Sequence, residues 1–155
     1  MTFTSREIAL PAETDTDALA GRIATRLGPG DVILLHGPIG SGKSHFARAL
    51  IRSRLGNPDE EVPSPTFTIV QTYPDAGGDM WHCDLYRLGS SDEIAELGLE
   101  EAFSEAICLI EWPDRLGEAR PAGALDLRLR ATPDGHLAVF SGPDPWRERL
   151  GDVLG

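Results

Sequence analysis

A glycine-rich segment that ends in a lysine and a serine has the residue types and the spacing for phosphate chemistry. Residues 37–44 read GPIGSGKS and fit the pattern G-x-x-x-x-G-K-[ST]. Glycines at these positions let successive backbone N–H groups turn inward around phosphate oxygens. Lys43 supplies a positive charge to the outer phosphates, and the Ser44 hydroxyl can ligate Mg²⁺, so the segment predicts a site for a nucleoside triphosphate with Mg²⁺. The predicted contacts are Gly37, Pro38, Ile39, Gly40, Ser41, Gly42, Lys43, Ser44 and His45.

The elements next to this loop have the composition that a phosphate-binding loop requires. Residues 31–36 form an almost continuous apolar run, which is typical of a strand buried on both faces in a parallel sheet. A helix is predicted over residues 43–55, so that its positive end faces the phosphates. This context disfavours the alternative, a glycine-rich turn without a ligand. Lys43 is also the only lysine of the chain, beside thirteen arginines.

Two carboxylates are candidates for the metal site that such a loop needs. A second acidic group usually lies at the end of another buried strand, where it holds or organises the metal ion. Glu111 follows the apolar run 106–110, and Asp84 follows the more polar run 80–83. The alternative for each is a solvated carboxylate at a strand end, and His82 alone is more typical of a core or hydrogen-bonded histidine than of a ligand. The predicted metal ligands are Ser44, Asp84 and Glu111, and the predicted catalytic residues are Lys43, Asp84 and Glu111.

The nucleotide is predicted to be ATP by elimination. A GTPase would need an N-K-x-D element for guanine, and this chain has no lysine other than Lys43. Adenine is usually held by shape and stacking, so it leaves no comparable pattern in a sequence. The hydroxyls of residues 64–66, Ser-Pro-Thr, are candidates for a place near the γ-phosphate, at the end of a polar loop over residues 56–65. A simple turn before a strand is the alternative for them.

Composition limits the remaining possibilities. The formal net charge is −11, which makes non-specific binding to a phosphate backbone unfavourable. No apolar run is long enough to span a membrane, and residues 1–6 lack the pattern of a signal peptide, so the expected location is the cytoplasm. Cys83 and Cys108 lie in apolar, strand-like segments and are expected to be buried, reduced thiols.

The other predicted elements complete one α/β domain over residues 1–155. Strands are predicted at 6–10, 66–73, 80–84 and 106–111, and a hairpin is predicted at 125–131 and 136–141. Helices are predicted from a cap at Thr14 or Asp15 to Leu27, over 92–97 after a cap at Ser90 or Ser91, and from Asp144 or Pro145 to Leu154.

Five segments of the chain occur in an order that is characteristic of one protein family. They are GPIGSGKS at 37–44, SPTFT at 64–68, HCDLYRL at 82–88, GLEE at 98–101 and IEWP at 110–113. Together they resemble the TsaE family, also called YjeE, and the combination of SPTF, HxDLYR and IEWP is highly specific. Members are small bacterial P-loop ATPases that help to make threonylcarbamoyladenosine in tRNA. Ser44 stands where most members have threonine, and either residue offers the metal a hydroxyl.

The resemblance implies a fold, an activity and partners. The implied fold is P-loop NTPase-like, with a mostly parallel central sheet flanked by helices, followed here by the predicted hairpin and last helix. The implied activity is Mg²⁺-dependent ATP hydrolysis that is slow alone and is stimulated by a complex of TsaB and TsaD, which transfers the threonylcarbamoyl group. Because the chain is acidic, we expect that complex, rather than this chain, to hold the tRNA.

The resemblance also implies roles for individual residues. The segment 64–68, which contains Thr66, resembles a first switch that closes over the nucleotide. Asp84 and Glu111 match the acidic residues near Mg²⁺, and Trp112 follows the second of them. One of the two carboxylates orients the attacking water, and the sequence leaves open which one does so.

The adenine contacts and an arginine finger are less sharply marked. Thr16 and the C-terminal hairpin, through Arg128 or Arg130, lie where the family encloses adenine. Arg87 is a candidate for an arginine finger supplied by the chain itself, and a surface salt bridge is the alternative for it.

Two other functions fit a phosphate-binding loop. A small-molecule kinase would need an acceptor pocket and an arginine-bearing lid, and the sequence after the loop has no clear lid helix rich in arginine. A nucleotide-gated binding module would use ATP to set its affinity for a partner, and this function overlaps with that of an ATPase that acts on a protein complex.

Overall fold

The computed structural model describes residues 1–155, except for the side chain of Ser91. The strands are β1 (Thr2–Thr4), β2 (Ile8–Leu10), β3 (Val32–His36), β4 (Val70–Asp75), β5 (Gly78–Asp84), β6 (Ile107–Glu111), β7 (Leu125–Thr132) and β8 (Gly135–Pro143). The α-helices are α1 (Glu13–Ala24), α2 (Lys43–Leu55), α3 (Ser91–Glu96), α4 (Leu99–Glu105) and α5 (Asp144–Leu154), and a 3₁₀ helix covers Pro113–Ala119.

All the strands form one sheet whose centre is parallel and whose margins are antiparallel. The order is β1-β8-β7-β3-β6-β5-β4, and β2 also pairs with β8. The pairs β7–β3, β3–β6 and β6–β5 are parallel, whereas β4 pairs antiparallel with β5, and β8 pairs antiparallel with β7, β1 and β2. This α/β architecture, with the hairpin β7–β8 and the helix α5 at its C-terminal end, confirms the predicted fold class.

Helices cover both faces of the parallel centre, which explains why β3 is apolar throughout. Its residues Ile33 and Leu35 face a core formed with α1, α2 and α5, whereas Val32 and Leu34 face a second core formed with α3, α4 and the 3₁₀ helix. All four side chains are at most 3% exposed. Because successive side chains of a strand point to opposite faces, a strand between two helical layers has no polar side.

The parallel pairing brings three strand ends to one edge of the sheet. The strands β3, β5 and β6 end at His36, Asp84 and Glu111, and in the pairing register Glu111 lies opposite Leu35 on one side and Asp84 on the other. In open α/β sheets, ligands bind at the carboxyl ends of the strands. The fold therefore places both predicted carboxylates beside the glycine-rich loop.

Several element boundaries differ from the predicted ones. The predicted strand 66–73 begins only at Val70, because Ile69 has a positive φ of 71° that breaks the extended backbone. The cap at Thr14 or Asp15 was wrong: α1 begins at Glu13 after Ala12, and the Asp15 carboxylate accepts a hydrogen bond from the Ala12 N–H at 2.9 Å. The helix then ends at Ala24 rather than at Leu27.

Three elements were not predicted. Strand β1 is short and pairs only with β8, the helix α4 follows α3 directly after Gly98, and the 3₁₀ helix follows Trp112. Cys83 and Cys108 are buried free thiols, as predicted, and burial raises the pKa of Cys108 to about 12. Among the described residues, none of the helices has both the length and the apolar composition that crossing a membrane requires.

Candidate functional site

The glycine-rich loop connects the end of β3 to the start of α2, as the sequence pattern requires. Gly37, Gly40 and Gly42 have φ values of 146°, 85° and 100°, a region that residues with a side chain rarely adopt. At Gly37 a Cβ atom would also collide with the backbone oxygen of Leu129 and with the side chain of Ser41. The loop can therefore take this course only with glycine at these positions, and it delivers Lys43 and Ser44 to the first turn of α2.

Lys43 is buried at the inner end of this loop. Its Nζ donates a hydrogen bond to the Gly37 carbonyl oxygen and lies 3.6 Å from the centre of the Trp112 ring. Burial lowers the pKa of the ammonium group, while the carboxylates of Glu111, Asp84 and Asp114 act in the opposite direction. The side chain is therefore a positive charge enclosed by the loop, an aromatic face and acidic groups.

Ser44 and Glu111 are in direct contact, although 67 positions separate them in the sequence. The Ser44 hydroxyl donates a hydrogen bond to Glu111 Oε1 at 2.8 Å. Glu111 is 2% exposed and Asp84 is 6% exposed, and the two residues are register partners at the ends of neighbouring strands. The structure thus brings together all the residues that the sequence analysis selected as metal ligands.

The second oxygen of Glu111 also has a partner. His82 Nε2 lies 2.7 Å from Glu111 Oε2, and the imidazole is fully buried. Asp84 is held differently, because its Oδ1 accepts a hydrogen bond from the backbone N–H of Tyr86 at 3.0 Å. The two carboxylates therefore have different surroundings: Glu111 is fixed by side chains, and Asp84 is fixed by the backbone that follows it.

A cavity of about 510 Å³ lies over these groups. Of the predicted nucleotide contacts, those that line it are Pro38, Ile39, Gly40, Ser41, Gly42, Lys43, Ser44, His45, Thr16, Thr66 and Trp112, together with Asp84 and Glu111. Thr16 is buried on α1, whereas Thr66 is exposed and exchanges a hydrogen bond with the Ser64 hydroxyl at 2.9 Å. The cavity thus joins segments that are distant in sequence into one concave surface.

Trp112 has a backbone conformation that is rare for a residue with a side chain. Its φ of 58° and ψ of 54° are left-handed, and it precedes the 3₁₀ helix at Pro113–Ala119. The indole contacts Lys43 on one side, and its ring centre lies 4.9 Å from that of Tyr86. This sharp turn after β6 directs the ring back over the glycine-rich loop.

Arg130 lies apart from this cavity, contrary to the expected adenine contact. Because side chains alternate along β7, Leu129 faces the core with α1 and α2 and also lines the cavity, while Arg130 lies on the other face of the sheet. The Arg130 guanidinium pairs with Glu7 at 3.1 Å, and Arg130 and Arg128 both line a separate cavity. Arg87 does not reach the cavity either, since it donates to the Phe67 carbonyl oxygen at 3.1 Å.

Four residues that line the cavity were not selected from the sequence. They are Glu13, Arg48, Leu129 and His136. His136 is the second residue of β8, and its Nε2 lies 3.3 Å from the Gly40 carbonyl oxygen. It belongs to no motif, and only the pairing of β8 with β7 and β2 brings it to the loop. Arg48 lies one helical turn after Ser44 on α2, so helical spacing was the available signal for it.

Comparison with known proteins agrees with the fold and with the position of the loop. The parallel centre of the sheet, with the glycine-rich loop between β3 and α2, defines a P-loop NTPase-like fold. The crystal structure of YdiB from Bacillus subtilis superposes with a TM-score of 0.73 over 99% of this chain and 94% of YdiB, at 24% identity, which supports the fold alone.

Sequence relatives define the family. The family model described as "Threonylcarbamoyl adenosine biosynthesis protein TsaE" matches residues 10–137. The tRNA threonylcarbamoyladenosine biosynthesis protein TsaE of Rickettsia bellii is 37% identical over 134 residues, which are 86% of this chain and 92% of the relative. The protein of the same name from Bacillus subtilis is 36% identical over 77% of this chain and 74% of its own length. The chain belongs to the TsaE family, which confirms the resemblance seen in its motifs.

Proposed function

We propose that this chain is an Mg²⁺-dependent ATP hydrolase that acts with TsaB- and TsaD-type proteins in the threonylcarbamoyladenosine modification of tRNA. Hydrolysis is weak in the chain alone and is stimulated by these partners. Membership of the TsaE family supports the pathway. The net charge of −11 favours an arrangement in which the partner complex holds the tRNA. We place this arrangement in the cytoplasm.

The contact between Ser44 and Glu111 is the observation that carries this proposal. A hydroxyl at the start of α2 and a carboxylate at the end of β6 meet at 2.8 Å, and Asp84 is the register neighbour of that carboxylate. These are oxygen ligands, the type that Mg²⁺ prefers, and Mg²⁺ is usually bound through one or two carboxylates together with substrate phosphates.

Each residue of the site has a role in phosphoryl transfer. The loop amides and Lys43 bind the β- and γ-phosphates, and the burial of Lys43 strengthens its attraction for them. Ser44 and one or both of Asp84 and Glu111 would hold Mg²⁺, which supplies charge neutralisation at the phosphates when it is bound. One carboxylate orients the attacking water. Phosphoryl transfer depends on positioning and charge neutralisation, so this small set of groups is sufficient.

ATP is favoured over GTP because the chain lacks a lysine that could read guanine. Its only lysine, Lys43, belongs to the glycine-rich loop. Thr16 and His136 line the cavity on the side of α1 and the hairpin, where the base would lie.

The decisive experiment is ATP turnover by the purified chain, alone and with a TsaB–TsaD pair, with and without Mg²⁺. We expect little phosphate release from the chain alone and clear stimulation of this release by the pair. We expect no phosphate release when Mg²⁺ is chelated. ATP binding without stimulation would contradict the assigned partners, and the absence of nucleotide binding would contradict the assigned site. A parallel screen with small phosphate acceptors tests the kinase alternative, because a kinase would consume ATP only when its acceptor is added.

A further inference from the structure

His82 is a buried polar side chain whose role the site described above leaves unexplained. It is fully buried near the end of β5, and its Nε2 lies 2.7 Å from Glu111 Oε2. A carboxylate can only accept, so Nε2 carries the proton and donates it. The other ring nitrogen, Nδ1, is buried and has no hydrogen-bond partner among the described residues. The imidazole therefore makes its hydrogen bond through Nε2, and among the described residues it has no other polar partner.

The partner of His82 is the residue that contacts Ser44. Glu111 Oε1 accepts from the Ser44 hydroxyl at 2.8 Å, while Oε2 accepts from His82, so each oxygen has a different side-chain donor. With Glu111 only 2% exposed, solvent cannot replace a lost donor freely. The hydrogen bond from His82 to Oε2 thus fixes the orientation of the Glu111 carboxylate and keeps Oε1 directed at Ser44.

We propose that His82 is a positioning residue for ATP hydrolysis, which fixes the Glu111 carboxylate by donating a hydrogen bond to Oε2 so that Oε1 stays directed at Ser44. This inference rests on the function proposed above. Groups behind a metal-binding or catalytic carboxylate orient it, and their loss typically lowers metal affinity or activity by about 10–100-fold. His82 acts through Glu111 and is not itself in contact with the reacting atoms.

A purely structural role for His82 agrees less well with its surroundings. If the position served only to fill the core, an apolar side chain would pack there without leaving Nδ1 unpaired. The neighbouring position 83 is a buried cysteine in the apolar core on the opposite face of the strand, so the fold accepts an apolar group at this depth. The hydrogen bond to Glu111 is the one favourable polar contact that the imidazole makes among the described residues.

The kinetic test compares two substitutions at this position. Glutamine in His82→Gln can place its amide nitrogen near the position of Nε2 and keep the donor, whereas leucine in His82→Leu removes it. We expect His82→Leu to lower kcat by about 10–100-fold and to raise the Mg²⁺ concentration for half-maximal turnover, with KM for ATP changed little. His82→Gln should retain most of the activity.

A control variant separates this effect from a general disturbance of the core. Cys108 is a buried residue of β6 without a polar contact to the site, so Cys108→Ala should lower the melting temperature and leave kcat and the Mg²⁺ dependence unchanged. Wild-type kinetics in His82→Leu would overturn the proposal. So would a folded His82→Gln protein that is as slow as His82→Leu.

A spectroscopic measurement tests the contact in the absence of nucleotide and Mg²⁺, so that its result does not depend on ATPase activity. In protein labelled with ¹⁵N-histidine, we expect a downfield, slowly exchanging Nε2–H proton from His82. This signal should disappear in His82→Gln and shift upfield in Glu111→Gln. A signal unaffected by Glu111→Gln would overturn the proposal even if His82→Leu does not fold. If the chain hydrolyses no ATP but gives the expected spectrum, the proposed function fails and with it the role of His82 in hydrolysis, while the orientation of Glu111 by His82 stands.

Discussion

The inner and the outer parts of the site are held in very different ways. The inner part, which consists of Lys43, Ser44, His82 and Glu111, is buried except for a half-buried Ser44. Side-chain hydrogen bonds connect Glu111 with Ser44 and with His82, while Lys43 donates to the Gly37 carbonyl oxygen. The outer segment, residues 64–69, carries Phe67 at 83% exposure. A backbone hydrogen bond from Asp84 N–H to the Ile69 carbonyl oxygen joins it to the sheet, and one from Ile69 N–H to the Pro65 carbonyl oxygen closes a turn within it. The inner part is therefore preorganised, whereas the outer segment can adjust.

The strand that follows the outer segment is anchored at its other end. Asp75, the last residue of β4, pairs with Arg54 through hydrogen bonds of 3.0 and 2.6 Å, and Arg54 also donates to the carbonyl oxygens of Ala24 and Leu27. One end of β4 is thus tied to two helices, and the other leads into a segment with a positive φ at Ile69. One fixed and one adjustable end agree with the expectation that residues 64–68 form a switch that closes over the nucleotide.

The largest expected effect comes from removing the charge of the inner part. In Lys43→Ala, turnover in the presence of the TsaB–TsaD pair should fall on the order of 10³-fold, because a buried cation that faces the phosphates is lost. Phosphate release and ATP affinity are measured together. Arg147→Ala, an exposed cation on α5, serves as the control and should behave like the wild type. Unchanged affinity and turnover in Lys43→Ala would refute the site.

A smaller loss is expected when the charge of Glu111 is removed but its shape is kept. Glu111→Gln should lower kcat about 10²-fold and leave nucleotide binding largely intact, since the loop and Lys43 are unchanged. The matched control is Glu105→Gln, an exposed residue at the end of α4. If both variants turned over ATP at the wild-type rate, Glu111 would have no part in the reaction, and Asp84 would have to carry it.

The anchor of β4 should contribute to stability rather than to chemistry. The side-chain hydrogen bond that Asp75 accepts from Arg54, together with the positive charge of Arg54, lowers the pKa of Asp75 below its ordinary value. The pair is therefore fully formed above the ordinary aspartate pKa of about 4, and its contribution is lost as the pH falls through the lowered pKa. Asp75→Asn should cost about 2 kcal/mol at pH 7. Denaturant unfolding at several pH values should show this difference narrowing below about pH 4; a constant difference would contradict the assignment.

The smallest effect is expected in the outer segment. Thr66→Ala should slow turnover only about threefold, consistent with the loss of one neutral hydrogen bond worth about 0.5–1.5 kcal/mol, and should leave the melting temperature unchanged because the side chain is exposed. Stopped-flow nucleotide binding and steady-state turnover measure the two steps separately. A hundredfold loss would show that this segment belongs to the rigid part of the site.

Lys43, Ser44, Asp84 and Glu111 could be selected from the sequence because each of them lies where a regular element begins or ends. A buried parallel strand reads as a continuous apolar run, and the polar residue after it is conspicuous, as at Glu111 and Asp84. The loop pattern then fixed Lys43 and Ser44. The pattern does not contain the distances between chain segments, so the sequence did not identify Glu111 as the hydrogen-bond partner of His82.

The remaining differences arise where tertiary contacts override local pattern. Residues 66–69 alternate like a strand, but the positive φ of Ile69 and the hydrogen bond from its N–H to Pro65 make a turn of them. The alternation along β7 does not show which face of the strand is directed at the loop. Arg130 was therefore predicted as a nucleotide contact, whereas its neighbour Leu129 lines the cavity. His136 reaches the loop only through the pairing of β8, a long-range contact that composition does not encode.

The burial of Lys43 has a practical consequence for labelling. Because it is the only lysine, the chain carries a single side-chain amine, and this amine lies between the glycine-rich loop and the Trp112 ring. Its lowered pKa leaves a larger fraction of the amine unprotonated and able to react with acylating reagents. Mass spectrometry of one peptide after brief acylation would therefore report how far phosphate groups shield this position, without a reporter introduced elsewhere in the protein.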